Sequence, residues 1–364
     1  MPRTEFHIEL ADGLDGLLAL RTQWDRLYSA IPNRAFYNDW RWHFAVARHL
    51  IPQDLLYVRV YDGRRLAAIV PLQIQSDRAW GVDLLCLQFP SHEHINLADI
   101  LLDQDHVGTP ILEAVVRFLR RVWGHPWHVA RLAGFTARSN LFQHARQRHT
   151  RIEPVGRSYY FHGGSASASE PIPKKQFRNI RRLMTKALAE AGAVDCEVVT
   201  ARDRIRSALR EFAHIETSGW KGETGTKSAI RQNPHLMEFY ACLLDSFAES
   251  DQASVRILRI GGFPAAGQLE LSTPQGLCLL KIAYDEQYER FSPGSLLLSR
   301  TLDGAAANEL NLVTAPAWAD RWRPAVEHTY MLSFWNTGVL SRILAGAHAL
   351  RGLRKAFTGP SGAG

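Results

Sequence analysis

Ser254–Ile260 (SVRILRI), Gly261-Gly262-Phe263-Pro264, Ala265–Ser272 (AAGQLELS) and Gly276–Tyr284 (GLCLLKIAY) are the blocks whose reading decides the fold. The first is rich in the β-branched and apolar residues of a strand, the Gly-Gly-Phe-Pro block interrupts it, and the next two resume a strand pattern. The stretch therefore reads as a β-hairpin followed by a third strand. Beyond it, Ser292-Pro293-Gly294 opens a helix over Ser295–Asn308, with Leu296, Leu297, Leu298 and Leu302 as its apolar positions. Ser292 suits an N-cap, and Pro293 falls at the first helical position, where its missing N–H costs nothing. Leu310–Val313 (LNLV) then reads as a further strand. Helical patterns lie upstream, at Arg204–Thr217 and Asn233–Ser250.

The same order occurs 197 positions earlier, Val255 standing against Val58. Leu55–Tyr61 (LLYVRVY), the turn Asp62-Gly63-Arg64-Arg65 and Leu66–Gln75 (LAAIVPLQIQ) form the hairpin, and Trp80–Phe89 the third strand. Even the flanks agree: Val58-Arg59-Val60 and Ala67-Ala68 in one copy, Val255-Arg256-Ile257 and Ala265-Ala266 in the other. A strand near Ile95–Leu102, a helix over Ile111–Trp123 and a strand at His128–Leu132 continue the first copy, with helices at Leu14–Leu27 and Asp39–Leu50 before it. Gly163-Gly164-Ser165-Ala166-Ser167-Ala168-Ser169 reads as a linker, followed by the basic helix Lys174–Ala191. The expected fold class is α/β (α+β): two tandem copies, each a mixed, mostly antiparallel sheet flanked by helices. The boundaries expected are 1–165, 166–335 and an amphipathic C-terminal helix with its tail at 336–364.

Composition narrows the function. The chain has 364 residues, 46% hydrophobic and 22% charged, which excludes a disordered or fibrous protein. Its 43 basic and 36 acidic residues give +7, evenly spread, so DNA is not an expected partner. Subtracting 7 Lys from the 43 basic residues leaves 36 Arg, and no Lys precedes Lys174; codon bias accounts for this, yet each Lys then marks a place where a compact ammonium is retained. Cys86, Cys196, Cys242 and Cys278 lack zinc spacing and read as reduced cysteines of a cytoplasmic protein. His92-Glu93-His94 has no third ligand at motif spacing and reads as a hydrogen-bonded loop, so no metal is expected. Leu340, Ile343, Leu344, Ala347 and Leu350 form an apolar stripe with two readings: packing on the body, or peripheral contact with the inner membrane through 336–357. Lys174–Lys186 reads either as a solvated face or as a surface for an anionic lipid, nucleic acid or polyphosphate.

Glu216-Thr217-Ser218-Gly219-Trp220-Lys221-Gly222 places Glu, Trp and Lys at a helix end among glycines. Such a loop is suited to a polar acceptor: Trp stacks, Glu takes a proton and Lys neutralises an anion. The bland alternative is a capped helix end with a surface Trp-Lys pair. The Ser292-Pro293-Gly294 turn offers outward N–H groups to a phosphate, although many helices begin this way for capping alone.

Glu216–Thr226 and Lys281-Ile282-Ala283-Tyr284-Asp285-x-x-Tyr288-x-x-x-Ser292-Pro293-Gly294-Ser295 resemble signatures of a GNAT-like acyltransferase family, the CelD-like set with a BioF2-like acetyltransferase domain. That set is distantly similar to the Fem-type aminoacyl transferases. The resemblance runs over roughly Asn38 to Trp322. It implies tandem GNAT-like domains, the first degenerate, and acyl-CoA as a co-substrate with no tightly bound cofactor. It also implies a saccharide, exopolysaccharide precursor or small metabolite as acceptor. Pantetheine would follow Leu279–Tyr284, with Lys281, Ser292, Pro293, Gly294 and Ser295 binding the donor. The family pattern (Q/R)-x-x-G-x-(G/A) aligns with Glu289-x-x-Ser292-x-Gly294 and is matched only at its last position. Acyl transfer needs a base for the acceptor and an acid for the departing thiolate. Glu216 is the candidate base with Asp285 second, Tyr284 or Tyr288 the acid, and Trp220, Lys221, Tyr288, Arg321 and Trp322 the acceptor contacts. Two other readings stand: a Fem-type transferase using aminoacyl-tRNA on a cell-wall precursor, and a non-catalytic accessory of exopolysaccharide synthesis.

Overall fold

The computed structural model describes residues 6–79, 82–162, 173–219, 228–304 and 309–346. Along the chain come β1 (His7–Asp12), α1 (Gly13–Ala30), α2 (Trp40–Ala45), β2 (Leu55–Asp62), β3 (Arg65–Ala79), β4 (Val82–Gln88), β5 (Leu101–Leu102), α3 (Ile111–Arg121), β6 (Val129–Thr136), α4 (Asn140–Gln147) and β7 (Glu153–Phe161). There follow α5 (Lys174–Ala191), β8 (Val194–Val199), α6 (Arg202–Thr217), α7 (Pro234–Ala248), β9 (Ala253–Ile260), β10 (Phe263–Thr273), β11 (Gly276–Tyr284), α8 (Pro293–Gly304), β12 (Glu309–Asn311) and β13 (Ala325–Trp335). The result is the mixed α/β architecture expected from the pattern.

Two compact units result, one from 1–27, 53–155 and 330–364, the other from 28–52 and 156–329. They are therefore not the consecutive stretches 1–165 and 166–335. The reason lies in α2, whose aromatic face belongs to the second unit. Trp42 meets Phe239 of α7 edge-on with ring centroids 5.6 Å apart. Arg41 pairs with its own N-cap, Asp39, at 2.6 Å. It also donates to Ser250 Oγ and Gln252 Oε1, each at 2.7 Å. At the other end of the chain, the last residues of β13 return to the first unit.

In the first unit the strand order is β1-β2-β3-β4-β6, antiparallel except for the β4–β6 pair. Val58, Val60, Ala68 and Val70 pack with Ile111, Leu112, Val115 and Val116 of α3. In place of the strand expected at Ile95–Leu102, only Leu101–Leu102 is a strand, paired with Ala68 and Ile69 of β3. Residues 89–100 leave the sheet at Pro90, which has no N–H to donate to a ladder. Their return is pinned where Ala98 N donates to Gly134 O at 3.2 Å and Asp99 accepts from the N–H groups of Asn140 and Leu141 at 2.7 and 2.8 Å. Gly134 has φ +92, and a Cβ there would meet Asn96 O at 3.3 Å. His92, Glu93 and His94 sit on this excursion, where His94 N donates to His92 Nδ1. No group of three His, Cys, Asp or Glu side chains suited to a metal ion occurs among the described residues.

The duplication is visible atom by atom. Asp103 N donates to Ala67 O and Asp285 N to Ala265 O, each at 2.9 Å. Each aspartate then caps a short 3-10 turn, Gln104–His106 or Glu286–Phe291. Leu102-Asp103 thus corresponds to Tyr284-Asp285, and residues 89–100 are extra.

The second unit has the order β8-β9-β10-β11-β12-β7, in which β11–β12 is the parallel pair. Its hairpin and third strand fall where the sequence expects them. One face carries α6 and α7: a Cβ on Gly267 of β10 would meet Phe212 and Ile215 of α6. On the other, Ala266 and Leu279 pack with Ile180 and Leu183 of α5 and Leu296, Leu297 and Leu298 of α8. Burial of each leucine stabilises by roughly 1.5–3 kcal/mol.

Of the C-terminal stripe, 339–346 is helical, and Leu340 and Leu344 pack with Leu84, Cys86 and Val129; this part of the stripe covers the body. The continuation to 357 lies outside the described residues. Among the described residues no helix is long and apolar enough to cross a membrane.

Candidate active site

The site begins where two parallel strands separate. β12 pairs with β11 only at Gly276–Cys278, through Glu309, Leu310 and Asn311, while β11 runs on to Tyr284. Beyond Asn311 the chain follows β7 instead, Leu312 N donating to Tyr159 O at 2.8 Å. A γ-turn makes the departure: Thr314 N donates to Leu312 O at 2.6 Å across Val313, whose φ is +61. Asn311 Oδ1 secures it by accepting from Val313 N at 2.7 Å. Among the described residues β12 therefore pairs with β11 no further than Cys278, and the two strands diverge along Leu279–Tyr284.

At the end of β11, Tyr284 joins the loop leading into α8. A Cβ on Gly294 would touch the Tyr284 ring at 3.7 Å, whereas one on Gly219 would press the Tyr284 carbonyl oxygen at 2.9 Å. Glycine at 219 is what lets the end of α6 approach β11 so closely. Burial, followed by Glu289 and Glu286, raises the phenol above its ordinary pKa, with Arg321 acting in the opposite direction. The hydroxyl consequently keeps its proton at neutral pH. Asp285 is committed partly to structure: Oδ1 accepts from Gln287 N at 2.9 Å, capping the turn 286–291. Tyr288 lies half-buried on that turn against the α8 side of the core.

Ser292 takes a left-handed backbone, φ 50 and ψ 57. It opens α8 through its carbonyl, which accepts from Ser295 and Leu296 N–H at 2.9 and 3.2 Å. Ser292 thus occupies the N-cap position expected from the sequence, with a left-handed backbone where the 3-10 turn meets the helix. Pro293 and Ser295 are buried, so the loop offers a ligand mainly Ser292, Gly294 and backbone groups.

Lys281 is placed differently from its expected role. Strand alternation turns it to the α6 side, away from Ile282 and Tyr284, which pack on the α8 side. There its Nζ lies 2.9 Å from Glu216 Oε1, with both side chains almost fully buried, and 5.5 Å from the centre of the Tyr240 ring. Glu216 Oε2 accepts from Ile230 N at 2.8 Å. The candidate base and one candidate donor contact are thus partners of each other. Trp322 is 2% exposed within the core formed with Leu310, Leu312 and Phe291, so its ring is no open acceptor contact. Arg321 is exposed and donates to Trp318 O. Trp220 and Lys221 lie outside the described residues.

Several participants escaped sequence reasoning. Tyr240 and Ile230 complete the Glu216–Lys281 cluster, and Tyr159 donates to Asp320 Oδ1 at 2.6 Å beside the departing strand. Nothing in the local pattern marks them; each acts through a contact distant in sequence.

Residues 174–324, which lie within the second unit, match the family model described as Acetyltransferase (GNAT) domain. Among solved structures, the crystal structure of FemX is similar at 9% identity and TM-score 0.56, over 85% of this chain and 95% of that one. The L-PGS structure from Bacillus licheniformis is similar at 10% identity and TM-score 0.55, over 89% and 94%. At such identities these likenesses show the fold alone. No curated protein matches the chain.

Proposed function

We propose that the second unit transfers an acyl group, acetyl being the simplest, from acyl-CoA to a hydroxyl or amine of a saccharide or small-metabolite acceptor. The observation that carries this reading is the separation of β11 from β12 immediately beside the N-terminus of α8. An extended thiol arm can lie in the opening where β11 diverges from β12 along Leu279–Tyr284, and a pyrophosphate can meet the N–H groups at Gly294 and the helix end. In the first unit, residues 96–98 lie against β6 at Gly134 beside the corresponding strand, which favours the second unit for the donor.

The acceptor's oxygen or nitrogen attacks the thioester carbonyl, its proton passes to a base, and the carbon–sulfur bond breaks with the thiolate taking a proton from Tyr284. Because both oxygens of Glu216 are engaged, Asp285, whose second oxygen is not needed for capping, is the base in this reading. Glu216 and Lys281 then hold the acceptor side of β11 in place. Arg321 is the nearby cation for an anionic group.

Thermal unfolding with acetyl-CoA and free CoA tests the reading, because a ligand of the native state raises the midpoint. A rise that Gly294→Glu abolishes and Gly108→Glu leaves intact supports it. Glu289, an acid where the family resemblance has Gln or Arg, favours a second reading in which the domain is a scaffold without turnover. Absence of any rise up to millimolar ligand would select that one.

A further inference from the structure

Helix α5 carries a face that the acyltransfer reading does not use. Lys174, Lys175, Arg178, Arg181 and Arg182 are all exposed, and none has a carboxylate within ion-pair distance among the described residues. On α6 and β9 of the same unit, by contrast, several cations are paired: Arg202 with Glu249, Arg204 with Glu197, Arg206 with Asp245, Arg256 with Glu270, and Arg259 with Glu211 and Glu197. On α5 itself only Lys186 has such a partner, Glu190 at 4.0 Å. The five cations also occupy the first half of a helix with no acid in its first turn, where the helix dipole disfavours positive charge. Folding alone gives no reason for that placement.

The same exposed side is partly apolar. Phe177 is 54% and Leu188 46% exposed, and they lie along one edge of the cationic face, on either side of Met184, which packs against the core. The buried side, Gln176, Ile180, Leu183 and Ala187, faces the unit. At the far end, Gly261 N donates to Ala193 O, bringing the hairpin tip with Phe263, 66% exposed, beside the C-terminus of α5. Cations flanking a line of exposed apolar side chains suit a helix lying in the headgroup layer of an anionic bilayer, with apolar groups entering the acyl boundary. A surface for single-stranded nucleic acid would add a series of stacking aromatics, and the helix presents only Phe177; exposed Leu188 beside it favours the bilayer.

We propose that α5 docks the second unit onto anionic lipid bilayers through Lys174, Lys175, Arg178, Arg181, Arg182 and Phe177. The proposal is independent of acyl transfer, since its test reads binding alone. The full chain is sedimented with phosphatidylcholine vesicles, with and without phosphatidylglycerol, across a salt series and with transfer RNA as competitor. The expected result is binding that requires phosphatidylglycerol and weakens with salt. It should drop at least about ten-fold in the triple variant Arg178→Glu/Arg181→Glu/Arg182→Glu, with an unchanged unfolding midpoint. Phe177→Ser should remove the salt-resistant part. Equal binding to both vesicle types, or a triple variant that binds as well as the parent, overturns the proposal. So does binding to transfer RNA through these residues without binding to vesicles, which would assign the face to nucleic acid.

Discussion

Glu216 at the end of α6 and Lys281 in the middle of β11 form a buried ion pair, Oε1 to Nζ 2.9 Å, with Ile230 N satisfying the second carboxylate oxygen at 2.8 Å. The pair ties the helix to the strand one residue from the side chains that line the opposite face. Removing one partner leaves a buried charge without compensation, so Glu216→Gln and Lys281→Met should each destabilise by about 3–5 kcal/mol in urea unfolding. The double variant should lose less than the sum. Single losses under about 1 kcal/mol would show that the pair contributes little.

Tyr284→Phe should lower acyl transfer about 100-fold while leaving CoA affinity within a few-fold. The phenol is held above its ordinary pKa, so the rate should not decline on the alkaline side until the phenol loses its proton. Glu289 is one cause of the upward shift; Glu289→Gln should therefore move the alkaline limb to lower pH. An alkaline limb that ignores both substitutions would remove Tyr284 from the acid role.

His43 in α2 is fully buried, and burial depresses its pKa from 6.5 to about 3, with the hydrogen bond to Tyr37 acting the other way. The folded ring is neutral throughout that interval, whereas the unfolded ring gains a proton. Its contribution is present above pH 6.5 and is lost as the pH falls toward 3, at up to about 1.4 kcal/mol per pH unit. Denaturation at a series of acidic pH values should show a shallower slope for His43→Gln than for the parent.

Gly134→Ala should destabilise by about 1–3 kcal/mol, because the position has φ +92 and faces the backbone of residues 96–98. Any acetyl-CoA response should persist, since the donor site proposed above lies in the second unit. A variant that binds acetyl-CoA more tightly would mean that the first unit also takes the donor.

Ser292→Gly should stabilise by about 1 kcal/mol, relieving a left-handed serine at φ 50, and Ser292→Val should destabilise by a similar amount. Paired unfolding curves decide; a loss in the glycine variant would show that the serine side chain outweighs the backbone strain.

Local chemistry made much of this protein legible before any coordinates. The Gly261-Gly262 turn, the alternation through Gly276–Tyr284 and the Pro293 helix start are short-range constraints, and they recur at Val58 and Val255 because the unit is duplicated. These features settle the hairpins, the third strand and the helix that follows, and hence the place of Tyr284, Asp285 and Gly294. Long-range packing decided the rest. Strand alternation sends Lys281 away from the α8 loop, and only the folded chain reveals that Glu216 waits there. Trp42 joins the second unit because Phe239 offers it an aromatic surface across nearly two hundred residues. Residues 89–100 could not be recognised as an insertion until Asp103 was seen to repeat the hydrogen bond of Asp285. Pattern records what each residue prefers nearby, whereas burial and pairing depend on partners that only tertiary structure brings together.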